Sequence, residues 1–192
     1  MTDTLHRILP QVQKPARYVG GEYNQIVKDK KDVDVRVAFC FPDTYEIGMS
    51  NIGMRILYGL MNEMPGVWCE RVFAPWGDME QQMREHNIPL YALESHDAVK
   101  DFDLIAFTIG YEMSYTNILN MLELSGVPLL AKERTELENI VFAGGVCAVN
   151  PEPLADFIDF FSLGEGEDIT KEILSCYRQA KRDGCSKDEF LH

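Results

Sequence analysis

Asn139–Asp168, NIVFAGGVCAVNPEPLADFIDFFSLGEGED, holds two apolar runs that each stop on glycines. Ile140-Val141-Phe142-Ala143 has the length and branching of a buried strand, and Gly144-Gly145 closes it with residues that turn sharply and leave backbone uncovered. Phe160-Phe161-Ser162-Leu163 repeats the pattern, ends in Gly164-Glu165-Gly166-Glu167-Asp168, and leads into a helical stretch from about Ile169. Two strands of one sheet thus deliver bare backbone to one edge. In open parallel sheets ligands bind outside the carboxyl ends of the strands, so the other strand-end loops are expected to wall the same site. Paired glycines also make plain tight turns, and neither pair alone separates the two uses.

Upstream, Val35 to Phe41 is apolar enough for a sheet interior and is closed by Pro42-Asp43. A loop from Asp43 to Ser50 follows, then a helix with Ile52, Ile56, Leu57, Leu60 and Met61 at helical spacing and Ser50 as N-cap, stopped by Pro65-Gly66. Val67 to Phe73 reads as the next strand, and a short helix over 79–86 puts Met79, Met83 and His86 on one face. Ile88 to Leu93 and Val127 to Leu130 read as minor extended segments. Leu104 to Gly110 is a strand, and the helix of Ile118, Leu119, Met121, Leu122 and Ser125 ends on Gly126 and Pro128 in the order that C-caps favour. Strand alternating with helix predicts parallel strands joined by right-handed crossovers with helices on both faces. The expected fold is therefore α/β, a doubly wound parallel sheet of Rossmann-like or flavodoxin-like type, over residues 35–184.

The two ends read differently. Residues 1–34 carry Pro10, Pro15 and the bracketed Gly20-Gly21 without a sustained period, as an irregular arm laid on the domain or a partly disordered leader would. Ser186-Lys187-Asp188-Glu189 has the S-x-x-E pattern of a capping box, so residues 185–192 read as the start of a linker or a further domain.

At 192 residues and 46% apolar content the chain has the size of one domain with an ordinary core. Five cysteines, widely spaced and without a CxxC, point away from a disulfide framework or a cluster loop and toward a reducing cytoplasm. No apolar run is long enough to span a membrane. A net charge of −13 repels a phosphate backbone, so direct nucleic-acid binding is not expected. The four histidines have no metal-ligand spacing, and no G-x-S-x-G, Walker or G-x-G-x-x-G motif occurs, so neither a metal site nor a catalytic residue is assigned to this segment. Cys147 is more simply a small apolar filler than a ligand. Glu165 and Glu167 suit a helix N-terminus and are poorly placed to hold a phosphate.

The strand-end residues, taken together, are Asp43-x-Tyr45-x-x-Gly48, Thr108-x-Gly110 and Gly144-Gly145. Their order resembles the D-x-H-x-x-G, S-x-L and G-G signature of cobalamin-binding doubly wound domains, with Tyr45 at the histidine place, Thr108 at the serine and Gly110 at the leucine. A broader resemblance covers nearly the whole chain: RYVGGEYN, FPDTYEIGMSNIGMRILY, ERVFAPWGDME, YEMSYTNILNMLELSG, AGGVCAVNPEPLADFIDFF and LGEGE are similar to the N-terminal domain of cobalamin-binding radical-SAM proteins. The resemblance implies cobalamin as the cofactor, held by Asp43, Tyr45, Gly48, Thr108, Gly110, Gly144, Gly145, Gly164 and Gly166. It implies as partner a downstream barrel in the same polypeptide, carrying a [4Fe-4S] cluster and S-adenosylmethionine on a cysteine triplet that this segment lacks. A tyrosine must lose a proton before it can ligate cobalt, so cobalamin without a protein histidine or tyrosinate ligand is expected. The alternative is a cofactor-free Rossmann-like module that docks the barrel or another protein.

Overall fold

Strands that are covered on both faces have to be apolar on both, which is why the strongest runs in this sequence are the sheet. The computed structural model describes residues 2–192. The strands β1 (Val35–Phe41), β2 (Val67–Phe73), β3 (Leu104–Thr108), β4 (Ile140–Gly144) and β5 (Phe160–Phe161) form one sheet in the order β2-β1-β3-β4-β5, every neighbour parallel. This is the flavodoxin-like order, whose topological switch point lies between β1 and β3. The fold is α/β and doubly wound.

Among the described residues there are seven α-helices: α1 (Thr2–Ile8), α2 (Tyr45–Ser50), α3 (Ile52–Glu63), α4 (Gly77–His86), α5 (Tyr115–Ser125), α6 (Gly166–Asp183) and α7 (Lys187–Leu191). On one face Met79 and Met83 of α4 and Ile118, Met121 and Leu122 of α5 pack on Ala38, Cys40, Ile105, Phe107 and Val141. On the other, Met54, Tyr58 and Met61 of α3 and Leu174 and Tyr177 of α6 pack on Val37, Phe39, Ala106 and Phe142. Period-two alternation along each strand sorts these side chains between the two cores.

Several local expectations are corrected. The stretch 43–50 is not a loop, because Tyr45–Ser50 forms α2, and Gly48 lets that helix seat itself: a Cβ there would lie 2.2 Å from Phe73 Cε1. Ser50 closes α2, its hydroxyl donating to Ile47 O at 2.8 Å, while the cap of α3 is Asn51, which accepts from Met54 N at 2.9 Å. The buried stripe of α3 is Met54, Tyr58 and Met61; Ile52 and Ile56 are exposed. His86, in contrast, lies exposed at the end of α4, as expected of a helix-surface residue, while Met79 and Met83 are buried. Ile88–Leu93 and Val127–Leu130 carry no helix, as expected of extended segments, and form no strand of the sheet, Tyr91 making only an isolated antiparallel bridge with Ala98. Instead Leu93 N donates to Arg71 O and Ser95 N to a Glu70 carboxylate oxygen, so this segment closes the outer edge of β2.

The arm is more ordered than its sequence suggests. It holds α1 and three 3-10 turns, and Leu5, Ile8, Leu9, Val12 and Tyr18 join the core beneath α4 and α5. At the other end Ser186 and Glu189 make the full capping box. Phe190 of α7 meets Tyr177 and Phe160 edge-on, and Lys187 Nζ reaches Asp159 Oδ1 at 2.6 Å. Among the described residues no helix is long and apolar enough to cross a membrane.

Candidate functional site

The switch point opens between two diverging crossovers, so the carboxyl ends of β1, β3 and β4 leave space that α3 and α6 wall but do not fill. A cavity of about 240 Å³ lies there. Its floor is Phe39, Ala106 and Phe142, its helical walls are Leu57 and Met61 on α3 and Thr170 on α6, and its rim is Thr108, Gly144, Gly145, Ser162, Gly164 and Gly166. Five of the nine residues expected from the sequence are thus brought together: Thr108, Gly144, Gly145, Gly164 and Gly166.

The glycines do different work. Gly145 has φ 105°, and a Cβ on it would come within 2.7 Å of Ile109 O. Ile109 N donates to Gly144 O and Cys147 N to Ile109 O, so Gly145 lets the β3 and β4 ends be stapled together at the mouth. Gly144 is ordinary extended backbone whose missing Cβ leaves open the space toward Ser162, 3.7 Å away. Gly166 begins α6 with its bare Cα toward Leu57. The first amides of α6 have no partner within the helix and sit at the cavity wall, as do the exposed carboxylate-bearing Glu167 and its positive dipole end.

Asp43, Tyr45, Gly48 and Gly110 are not in the cavity lining. Asp43 lies on the same sheet edge, where it accepts from Tyr111 Oη at 2.8 Å and so ties the loop after β1 to the loop after β3. Tyr45 packs edge-on against Phe73 and donates its hydroxyl to Glu22 of the arm. Burial, and then that carboxylate, push its phenol up to about 12. Gly48 is a packing glycine under α2, and Gly110 is exposed with open space around it.

Sequence reasoning passed over Ser162, Leu57, Met61 and Thr170. Ser162 could have been found by the strand-end rule, since β5 ends at Phe161 and Ser162 N donates to Ala143 O at 2.8 Å. The helical residues carry no local signal of lining a cavity. Cys147 is partly buried against the core, its thiol raised by burial. Among the described residues no group of three or more His, Cys, Asp or Glu is placed to hold a metal ion.

The loops at this edge carry exposed apolar side chains beside the exposed Glu112, Glu165 and Glu167. Met113 is 84% exposed, Val146 72% and Val149 75%, and Ile47, Trp76, Tyr111 and Leu163 are also exposed. Each of these follows the carboxyl end of a strand. Exposed apolar side chains on the loops beside a cleft are the kind of surface that a ligand or a partner covers.

The chain is 27% identical over 143 residues to an uncharacterized protein of Methanocaldococcus jannaschii, a match covering 72% of this chain and 26% of that protein. The chain therefore spans about a quarter of the length of the curated relative it matches. The family model described as radical SAM proteins, N-terminal, matches residues 53–192, from the first turn of α3 through α7. With that match covering most of its length, the chain belongs to the family of N-terminal regions of radical SAM proteins.

Proposed function

We propose that this chain is the cofactor-holding N-terminal module of a radical SAM protein, taking the nucleotide tail of a cobalamin into the cavity between α3 and α6. A downstream barrel in the same polypeptide, with its [4Fe-4S] cluster and S-adenosylmethionine, closes over the apolar rim. The observation that carries the reading is the convergence of Thr108, Gly144, Gly145, Gly164 and Gly166 on one cavity at the switch point of the sheet, ringed by exposed apolar side chains.

The residues fit the group in part. A space of about 240 Å³ suits a single bicyclic base and not a corrin, so only the tail enters and the macrocycle lies on the rim. Thr108 and Ser162 offer hydroxyls to the base and its sugar, Phe39, Phe142 and Leu57 pack against its faces, and Gly144 keeps the entry open. Met113, Val146 and Val149, exposed on the loops after β3 and β4, would offer the macrocycle apolar surface. No residue at this edge fits as a lower ligand. Tyr45 is turned to Glu22 and keeps its proton at neutral pH, so the reading requires a cobalt without a protein ligand below it. When bound there, cobalamin supplies a methyl-carrying or electron-transferring cobalt to the following domain.

The test is to isolate the full-length protein anaerobically with hydroxocobalamin and follow co-elution and the visible spectrum. Retention should be lost on Gly144→Val, which fills the entry without backbone strain, and weakened about tenfold by Thr108→Val, in line with one lost hydrogen bond. A second reading rests on the place of Tyr45 and the lack of a histidine at the edge: a cofactor-free module whose apolar rim docks the barrel. It is favoured if iron and sulfide are retained while cobalamin never is.

A further inference from the structure

A second cavity lies away from the carboxyl edge. It measures about 790 Å³ and lies on the other side of α3, between that helix, α2, β2 and the arm. Its walls are apolar, chiefly Ile26, Met49, Ile52, Met54, Ile56 and Tyr58. Its charged lining residues are Arg71 and Arg55, and no carboxylate lines it. In a chain of net charge −13 this is a local reversal of sign.

Arg71 sits at the floor with its side chain 8% exposed. Its Nε donates to Glu94 Oε1 at 2.6 Å, its guanidinium lies 4.5 Å from the Tyr58 ring centroid, and Nη1 lies 3.3 Å from the thioether sulfur of Met49. Nη2 is buried with no hydrogen-bond partner. Buried donors are nearly always paired, so Nη2 is an unused donor at the cavity floor, and beside it Nη1 is held only by the Met49 thioether, a poor acceptor on a flexible side chain. Glu94 neutralises Arg71 at the floor, so among the described residues the unpaired positive charge of the lining is that of Arg55 alone, which matches one negative charge and not two. Arg55, at the mouth, is exposed and makes no ion pair among the described residues.

We infer that this cavity is a second binding site, separate from the one at the switch point, and that it takes a small organic monocarboxylate with an apolar body. The carboxylate meets Arg71 Nη2, and Nη1 as well once Met49 swings off it, with Arg55 drawing it in, and the apolar body lies along Ile52, Met54 and Ile56. Planar, forked guanidinium donors are matched to carboxylate geometry, and the apolar walls supply the rest of the contact.

The site is tested on the full chain labelled at methionine and isoleucine methyl groups, titrated with decanoate and, in parallel, with decanamide as its neutral isostere. The expected result is saturable shifts of the Met49, Met54, Ile52 and Ile56 methyls, with decanoate binding at least about tenfold more tightly than the amide, the order of one charge-assisted hydrogen bond. Ile56→Glu places a carboxylate at an already exposed position, leaves the fold intact, and should weaken decanoate about tenfold or more. Equal affinity for acid and amide, unchanged binding by Ile56→Glu, absence of saturation, or shifts confined to Met61 at the other cavity each overturn the inference. None of these readouts involves cobalamin, so the outcome is independent of the function proposed above.

Discussion

The two ends of the sheet are built in opposite ways. At the amino end, polar groups are tied down: Asp103 accepts from Arg36 N and receives Lys181 Nζ, Arg178 pairs with Asp34, and Asn139 Nδ2 reaches the carbonyls of Lys100 and Phe102. Asp159, fully buried after the 3-10 turn that precedes β5, takes Val141 N, Arg134 and Lys187. At the carboxyl end, Met113, Val146 and Val149 stand in solvent around an open cavity. One end is closed with ion pairs and hydrogen bonds inside the chain; the other leaves apolar side chains in solvent, at the edge where ligands of open parallel sheets bind.

That contrast is broken most directly at Asp159. Asp159→Ala leaves Arg134 and Lys187 buried and uncompensated, which should cost about 3–5 kcal/mol in denaturant unfolding. Val146→Ser or Val149→Ser at the other end should shift stability by no more than about 0.5 kcal/mol. If the two ends respond alike, the division is wrong. The carboxyl edge has positive-φ glycines of its own, Gly145 and Gly164, and the first of them sharpens the comparison. Gly145→Ala meets a left-handed backbone and Ile109 O at 2.7 Å, for an expected loss of about 1–3 kcal/mol. Gly144→Ala, one residue away in relaxed geometry, should leave stability unchanged or raised by up to about 1 kcal/mol. Paired unfolding curves of the two variants check this.

The sheet was legible because buried parallel strands are continuous apolar runs; Val35–Phe41 and Val67–Phe73 can be read off to the residue. The helices α1 and α2 were not, since each is short and neither shows a stripe: α2 exists because Gly48 fits over Phe73, a contact with no local mark. The direction of α3 was misread for a related reason. Ile52 and Ile56 are more apolar by type than Tyr58, yet Tyr58 is the buried one because its hydroxyl accepts from Ile26 N of the arm at 2.7 Å. In the site, Gly144, Gly145, Gly164 and Gly166 follow from the strand-end rule, whereas Thr108 follows only from the family resemblance, and Gly110, named with it, lies outside the cavity lining. Tyr45 could not be placed by pattern, because its orientation depends on Glu22, a residue of the arm 23 positions away.

Tyr45 therefore gives the next test, at a smaller energetic scale. Tyr45→Phe keeps the edge contact with Phe73 and removes the bond to Glu22, for about 1 kcal/mol of stability. The visible spectrum of protein-bound cobalamin should be the same in Tyr45→Phe as in the parent. A shifted spectrum would make Tyr45 a cobalt ligand and place it with the cavity residues after all.

The smallest effect concerns how the arm is held to the carboxyl edge. Glu46 of α2 accepts from Arg17 Nε at 2.9 Å and from Lys14 Nζ at 3.2 Å, and the Arg17 hydrogen bond above all lowers its carboxyl from 4.5 to about 2. A carboxyl whose pKa falls on folding stabilises the fold above its unfolded value and ceases to do so when protonated. The clamp is thus complete above about pH 4.5 and is lost as the pH falls toward 2. Because the Glu46 side chain is 41% exposed, solvent screening limits its worth to at most about 1 kcal/mol. Hydrogen exchange of residues 14–23 should quicken several-fold in Glu46→Gln at pH 6, and the variant should lose the parent's acid dependence between pH 4.5 and 2. The amides of α6, on the far side of the sheet from the arm's core, should exchange alike in both proteins, so a global change in protection would show that the arm is not a separable clamp but part of the domain's cooperative core.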